Sequence, residues 1–191
     1  MDDKKLVKEL IAGNKKAFEE FYDKYYLCLY RSAYFLVGNK MDAEDILQDT
    51  FITAWNHIGE LRSVNSLKTW LYRIMIRKAY RSGERKSKEV PDEYVQDKTD
   101  TTMLERGVSS DFTQDISQKN ELQQALQMLD IKHREVIVLF YYEEMSISEI
   151  AKTLGCFEGT VKSRLSTARR KLRIILQSND DTFNNLKMEV V

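Results

Sequence analysis

The sequence predicts an all-α protein: two small helical domains joined by a flexible acidic linker, the second domain containing a helix-turn-helix. Three observations predict it. Apolar residues recur at 3- and 4-residue steps over most of the chain. Only 7 glycines and 1 proline, Pro91, occur in 191 residues, too few for the tight turns of a sandwich or a βαβ fold. Between two periodic stretches, residues 88–118 replace apolar side chains with acids and hydroxyls. Such a run cannot bury enough apolar surface to order itself. The chain's 22.5 kDa then divides into domains of roughly 60–90 residues each.

Each element has its own signal. Leu6 and Leu10 open a helical pattern that breaks at Gly13-Asn14 and resumes with Ala17, Phe18, Phe21, Tyr22, Tyr25 and Leu29. Gly38-Asn39 closes that stretch as a left-handed cap would. A new helix follows, with Asp42 expected as its N-cap and further acids favoured by the helix dipole, and it runs to about Ile58. The segment Gly59 to Ser66 is polar, and the next helix spans about Leu67 to Gly83. After the linker, Leu122, Ala125, Leu126 and Leu129 form a short helix, and Val136 to Tyr142 lies in a second. Ser146-Ile147-Ser148-Glu149 is a capping box on a third, and a fourth runs from about Glu158 to Leu176. The boundaries are thus 1–87 for the first domain, 88–118 for the linker, 119–178 for the second domain and 179–191 for a frayed tail.

The 30 basic and 30 acidic side chains cancel, but they are not evenly spread. Residues 1–60 are net −3, 61–89 net +7, 90–145 net −7 and 146–178 net +5. Because salt screens charge beyond about 8–10 Å, two basic blocks held apart by acidic ones make two separate anion-binding surfaces. Ordinary solvated helix faces would look the same by charge alone. No apolar run approaches a membrane span, and the start, Met1-Asp2-Asp3-Lys4-Lys5, lacks a signal peptide's apolar stretch. The 2 cysteines, Cys28 and Cys156, lie far apart without the spacing of a zinc site or a disulfide framework, so a reduced cytoplasm is expected.

Three constellations carry chemistry. In the first, Ile147, Ile150, Ala151 and Leu154 form the inner face of one helix, Gly155 permits a turn, and Val161, Leu165, Ala168 and Leu172 form the seam of the next. That is a helix-turn-helix. Opposite the seam lie Gly159, Ser163, Ser166, Thr167 and Arg170, flanked by Lys162, Arg169 and Arg173 on one edge and Arg164 and Lys171 on the other. Small polar groups between cationic edges suit a major groove, with the centre on base edges and the rails on phosphates. In the second, Asp45, Gln48, Asp49 and Ile52 share the face opposite Leu47, Phe51, Ala54 and Ile58, an arrangement suited to a basic partner protein. No histidine joins that acidic cluster, so no metal is expected. In the third, Arg73, Arg77, Arg81 and Arg85 fall four apart, with Lys78 beside them and Trp70, Tyr72 and Tyr80 interleaved. Cations hold a phosphate chain while bases stack on rings, as single-strand binding requires. Trp70, spaced four from Ile74, reads more readily as core than as a stacking platform.

These motifs resemble those of the extracytoplasmic-function sigma factors of bacterial RNA polymerase, over nearly residues 5–178. Ala43-Glu44-Asp45-Ile46-Leu47-Gln48-Asp49-Thr50-Phe51 resembles the family's region 2.2, Thr69-Trp70-Leu71-Tyr72-Arg73-Ile74 its region 2.3–2.4, and Gly159-Thr160-Val161-Lys162-Ser163-Arg164 its region 4.2. The resemblance implies that Asp45, Gln48 and Asp49 contact the clamp coiled coil of the polymerase core. It implies that the helix from Trp70, with the preceding loop, binds the −10 element through Arg62, Asn65, Trp70, Arg73, Arg77, Lys78 and Arg81. It implies that Lys162, Ser163, Arg164, Ser166, Thr167, Arg169 and Arg170 meet the −35 element while the second domain sits on the polymerase flap. Anti-sigma partners are common in the family, and neither a cofactor nor membrane insertion is implied. The chain departs from the family pattern at Arg77 and Arg81, where asparagine and an acid are frequent, at Ser166 and Thr167, and at Leu129-Asp130, where Leu-Pro is frequent.

Two other classes compete. A stand-alone helix-turn-helix regulator would read a palindrome as a dimer, but it needs neither an acidic partner face nor a separate cationic–aromatic helix. A metal-dependent nuclease would have to use Asp42, Glu44, Asp45 and Asp49. With only His57 and His133 in the chain, no nucleophile–base pair and no glycine-rich phosphate loop, the sequence offers it little.

Overall fold

In the computed structural model, which describes residues 3–88 and 116–177, all regular structure is helical. The elements are α1 (Asp3–Ile11), α2 (Lys15–Val37), α3 (Lys40–His57), α4 (Leu67–Lys88), α5 (Ile116–Gln127), α6 (Ile131–Ile137), α7 (Ile147–Leu154) and α8 (Glu158–Gln177). Single 3₁₀ turns at Ile58–Glu60 and Val64–Ser66 join α3 to α4. A π-helical turn over Val138–Tyr142 extends α6.

The caps explain the boundaries. Asn14 closes the N-terminus of α2, its side chain accepting from the Lys16 amide at 3.0 Å. Gly38 ends α2 in the left-handed region at φ 85°, its N–H donating to the Tyr34 carbonyl at 2.8 Å. Glycine is required there twice over, since a Cβ would also stand 2.7 Å from Cδ of Gln127. The N-cap of α3 is Asn39, not Asp42 as expected: the Asn39 carbonyl side chain accepts from the Asp42 amide at 2.9 Å. Asp42 instead accepts from the Asn39 side-chain amide at 2.6 Å, and both groups can cap because they sit three residues apart. The capping box of α7 forms in full, Ser146 and Glu149 each bonding the other's backbone N–H.

The ends of the expected linker are helical, since α4 continues through Lys88 and α5 begins at Ile116. The remainder of 88–118 lies outside the described residues, as does the expected tail 179–191.

The N-terminal half packs α2, α3 and α4 around Phe21, Leu29, Leu47, Phe51, Leu71 and Met75, all buried. In the C-terminal half, α6, α7 and α8 enclose Val136, Leu139, Ile150, Val161, Leu165 and Leu172. The halves do not stand apart: α7 packs on α4, and α5 and the π turn pack on α2. Polar groups carry much of this joint. The Tyr34 carbonyl, already bonded by Gly38, also accepts from Gln123 Nε2 at 3.0 Å, and the Phe35 carbonyl, near the end of α2 where intrahelical donors run out, accepts from Gln127 Nε2 at 2.9 Å. The Leu36 carbonyl accepts from Arg134. That buried guanidinium also donates to the carbonyls of Leu126, Gln127 and Leu129 at 2.8 Å each and to Gln127 Oε1 at 2.5 Å, using all of its five N–H groups.

Candidate nucleic-acid and partner interfaces

The face of α3 turned to solvent carries Asp45, Gln48 and Asp49, all exposed, between Met41 at 68% and Ile52 at 55% exposure. Its opposite side buries Ala43, Ile46, Leu47, Thr50, Phe51 and Ala54. The charges are therefore free to reach outward without disturbing the core. Asp49 is bridged to Lys78 Nζ of α4 at 3.3 Å, so the acidic face adjoins the cationic one.

On α4 and the loop before it, Arg62, Asn65, Arg77 and Arg81 are exposed, while Trp70 and Lys78 are half-buried. Trp70 packs against the core, as its helical spacing with Ile74 suggests. Arg73 is also half-buried, and it lies against the other half of the molecule. Its Nε donates to the Thr153 carbonyl at 3.3 Å and its Nη2 to the Lys152 carbonyl, in the last turn of α7. Those carbonyls are among the ones a helix terminus leaves without intrahelical donors.

Tyr72 and Glu143 form the polar centre of the joint between halves. The Glu143 carboxylate is 7% exposed. It accepts from Ser32 Oγ at 2.6 Å and from the Tyr72 hydroxyl. Lys68 Nζ donates to the Glu143 carbonyl at 2.6 Å and lies 3.9 Å from its carboxylate. Burial, and then the Glu143 charge, push the Tyr72 hydroxyl above the ordinary phenol range, so it remains a donor. A second carboxylate, Glu135, is 2% exposed and accepts from the Tyr80 hydroxyl at 2.9 Å and from Arg164 Nη1 at 3.0 Å. Burial pushes its pKa up to about 7, against the lowering effect of Tyr80 and Arg164. None of these partners was singled out in the sequence with its partner; they lie 29 to 111 residues apart. The available signal was the charged pair Arg134-Glu135 and the acids Glu143-Glu144 flanking a purely apolar run.

On α8 the seam Val161, Leu165, Ala168 and Leu172 is buried as expected, with Leu176 added. Lys162, Ser163, Ser166 and Arg170 are exposed together, and Thr167 is half-exposed beside them. Three cations at the edges are held by the protein. Arg164 pairs with Glu135, and Lys171 Nζ lies 3.0 Å from Asp130. The Arg169 guanidinium lies 5.4 Å from the Phe140 ring centre and 5.6 Å from that of Tyr141. Burial raises the Asp130 carboxyl, but bonds from His133 and Lys171 outweigh it and hold the group below the usual carboxylate range.

Among the described residues no cluster of histidine, cysteine, aspartate and glutamate could hold a metal, and no helix is long and apolar enough to cross a membrane.

Residues 21–89 match the family model of Sigma-70 region 2, and residues 119–172 match that of Sigma-70, region 4. The first match contains the α3 and α4 faces and the second the helix-turn-helix. Over 179 residues the chain is 34% identical to the ECF RNA polymerase sigma factor SigW of Bacillus subtilis (strain 168), a stretch covering 89% of this chain and 94% of that relative. It belongs to the ECF RNA polymerase sigma factors. Another similar member is the ECF RNA polymerase sigma factor SigL of Mycobacterium tuberculosis (strain ATCC 25618 / H37Rv), 34% identical over 87% of this chain and 92% of the relative. Two solved structures share the fold. The first is CnrH in complex with the cytosolic domain of CnrY, with a TM-score of 0.66, 25% identity and coverage of 93% of this chain and 98% of that one. The second is RpoE in complex with the anti-sigma factor NepR from Bartonella quintana, with a TM-score of 0.62, 28% identity and coverage of 83% and 98%. This sigma factor therefore spans nearly the full length of the relatives it matches.

Proposed function

We propose that this sigma factor directs promoter-specific initiation by binding core polymerase through α3, the −10 element through α4 and its preceding loop, and the −35 element through α8. The observation that carries this reading is the division of exposed chemistry among the three elements. An acidic face with apolar flanks lies on α3, exposed arginines lie on α4, and a small-polar face with cations lies on α8. In this reading Asp45, Gln48 and Asp49 contact the clamp coiled coil, and the C-terminal half sits on the flap. Arg62, Asn65, Trp70, Arg73, Arg77, Lys78 and Arg81 serve the displaced −10 strand. Lys162, Ser163, Ser166, Thr167 and Arg170 face the −35 element, with Arg164 and Arg169 joining it at the edges. In this reading the chain acts by lending sequence recognition to the polymerase, in the cytoplasm where the polymerase works.

Residues 1–87 and 119–178 act as separate modules around the 88–118 linker when bound. Two weak sites held at a set separation bind far better than either alone, with no new contact. An anti-sigma factor is a further partner in this reading, since the similar RpoE was solved in complex with the anti-sigma factor NepR. The test is co-purification with core polymerase. The double variant Asp45→Lys, Asp49→Lys should lose at least about tenfold in affinity while keeping its helical circular dichroism, because each reversal places like charge against a basic partner. Undiminished binding by the folded double variant would remove α3 from the interface.

A further inference from the structure

Four helices begin on a side chain that accepts from one of their own first amides: Asn14 on α2, Asn39 on α3, Asp130 on α6 and Ser146 on α7. Helix α8 begins differently. The Thr160 and Val161 amides donate to the Phe157 carbonyl at 2.9 and 3.2 Å, which makes Phe157 its N-cap residue. A phenylalanine ring has no acceptor, so the bond that a serine or aspartate would form at this position is forgone. Nor is the ring stored in the core. At 86% exposure it is the most exposed large apolar side chain among the described residues. It neither caps the helix nor packs beneath it.

The position of the ring indicates what would cover it. Phe157 stands immediately before α8, and the exposed Lys162 and Ser163 follow within two turns. A helix-turn-helix meets the base edges with the N-terminal residues of its second helix. Gly159 adds no bulk at that end, and a Cβ there would meet no atom within 4 Å, so the first turn is open to a close-approaching duplex. In a major groove the one apolar group offered is the 5-methyl of thymine; the remaining base-edge groups are hydrogen-bond donors and acceptors. A ring against those would desolvate them with nothing in return. Against the methyl, both partners shed water favourably.

We propose that Phe157 is a −35 specificity residue whose ring packs on the 5-methyl of one thymine in the element. The proposal rests on reading α8 as the −35 helix. It adds an apolar contact that the small-polar and cationic residues of that helix do not supply.

The test uses holoenzyme assembled from core polymerase and the full chain. A −35 element is first selected from a randomised library with the −10 element fixed. Each thymine of that element, on either strand, is then replaced in turn by deoxyuridine, which keeps every hydrogen-bonding group and lacks only the methyl. One position should lower the affinity about fourfold, the ratio expected when one methyl group is left in water. Phe157→Ser, which supplies the missing cap, should lose the preference for thymine at that position and become indifferent to deoxyuridine there. Phe157→Leu, which retains apolar surface, should keep part of the preference. A selected element without thymine, a wild type insensitive to deoxyuridine at every position, or equal sensitivity in wild type and Phe157→Ser would each overturn the proposal. So would weaker assembly of Phe157→Ser with core polymerase in the absence of DNA, which would put the ring against protein instead. Transcription indifferent to the whole −35 sequence would count against assigning α8 to that element, and it would show in the library before any base is replaced.

Discussion

At the scale of single residues, two carboxylates, the buried Glu135 and the exposed Asp130, shape how the molecule responds to pH. Glu135 faces Tyr80 from α4, Arg164 from α8, and Lys132 and Asp130 from its own turn. Its pKa is about 7, raised from 4.5, so the folded state retains a proton that the unfolded chain has released. The contribution is favourable below about pH 4.5 and is lost as pH rises through 7. Melting temperature should therefore fall between pH 5 and pH 8, by an amount on the order of 3 kcal/mol of stability. Glu135→Gln should flatten that part of the profile; an identical slope in both proteins would show that Glu135 does not govern it. Asp130 acts in the opposite sense, because its lowered carboxyl gives stability above the ordinary carboxylate range that is lost on acidification. The effects of the two groups occupy different pH windows. Nothing local in the sequence revealed the Glu135 environment. Glu135 reads as an ordinary charge in an amphipathic helix until Tyr80, 55 residues earlier, is seen to reach it.

At the scale of elements, the boundaries set by local chemistry were readable in advance. The left-handed cap at Gly38, the Ser146–Glu149 box and the start of α4 at Leu67 each depend on neighbours within four residues, and each lies where the sequence puts it. Asn39 and Asp42 exchanged the expected capping role because both side chains suit it. The π turn at Val138–Tyr142 was not foreseen, since an unbroken apolar run has the same pattern with 3.6 or more residues per turn. On α8 the periodicity placed the outward face correctly, but it could not show that Arg164 and Lys171 have acidic partners on α6 and its cap. This changes what substitutions there should do. Lys162→Ala should weaken binding to all −35 sequences and reduce the slope of log affinity against log salt by about one. Arg170→Ala should change which −35 sequences are preferred, at about 1–3 kcal/mol for a contacted base pair. Arg164→Ala should lower the melting temperature as well, because it leaves Glu135 without its cation. Transcription from a randomised −35 library at several salt concentrations separates these effects. A uniform loss across sequences for Arg170→Ala would show that the central face does not read bases.

At the scale of the whole molecule, the sequence announced two helical domains, with two basic blocks held apart by acidic ones, but no hint that the domains meet. The polar joint uses single residues spaced 55 to 111 positions apart, so it leaves no periodic trace. The overall charge balance has a similar logic: 30 cations and 30 anions cancel in the free chain, while each exposed face keeps its own sign. On the proposed reading, such a chain should bind DNA weakly alone and gain affinity when polymerase positions its two halves together. The most direct test is to map transcription start sites on a genomic or random-sequence DNA library with purified core polymerase, with and without the chain. Sigma-factor function predicts new, discrete starts that appear only when the chain is added, each preceded by a shared pair of elements near −35 and −10. No chain-dependent starts, together with dimeric binding of the chain alone to a palindromic site, would contradict it.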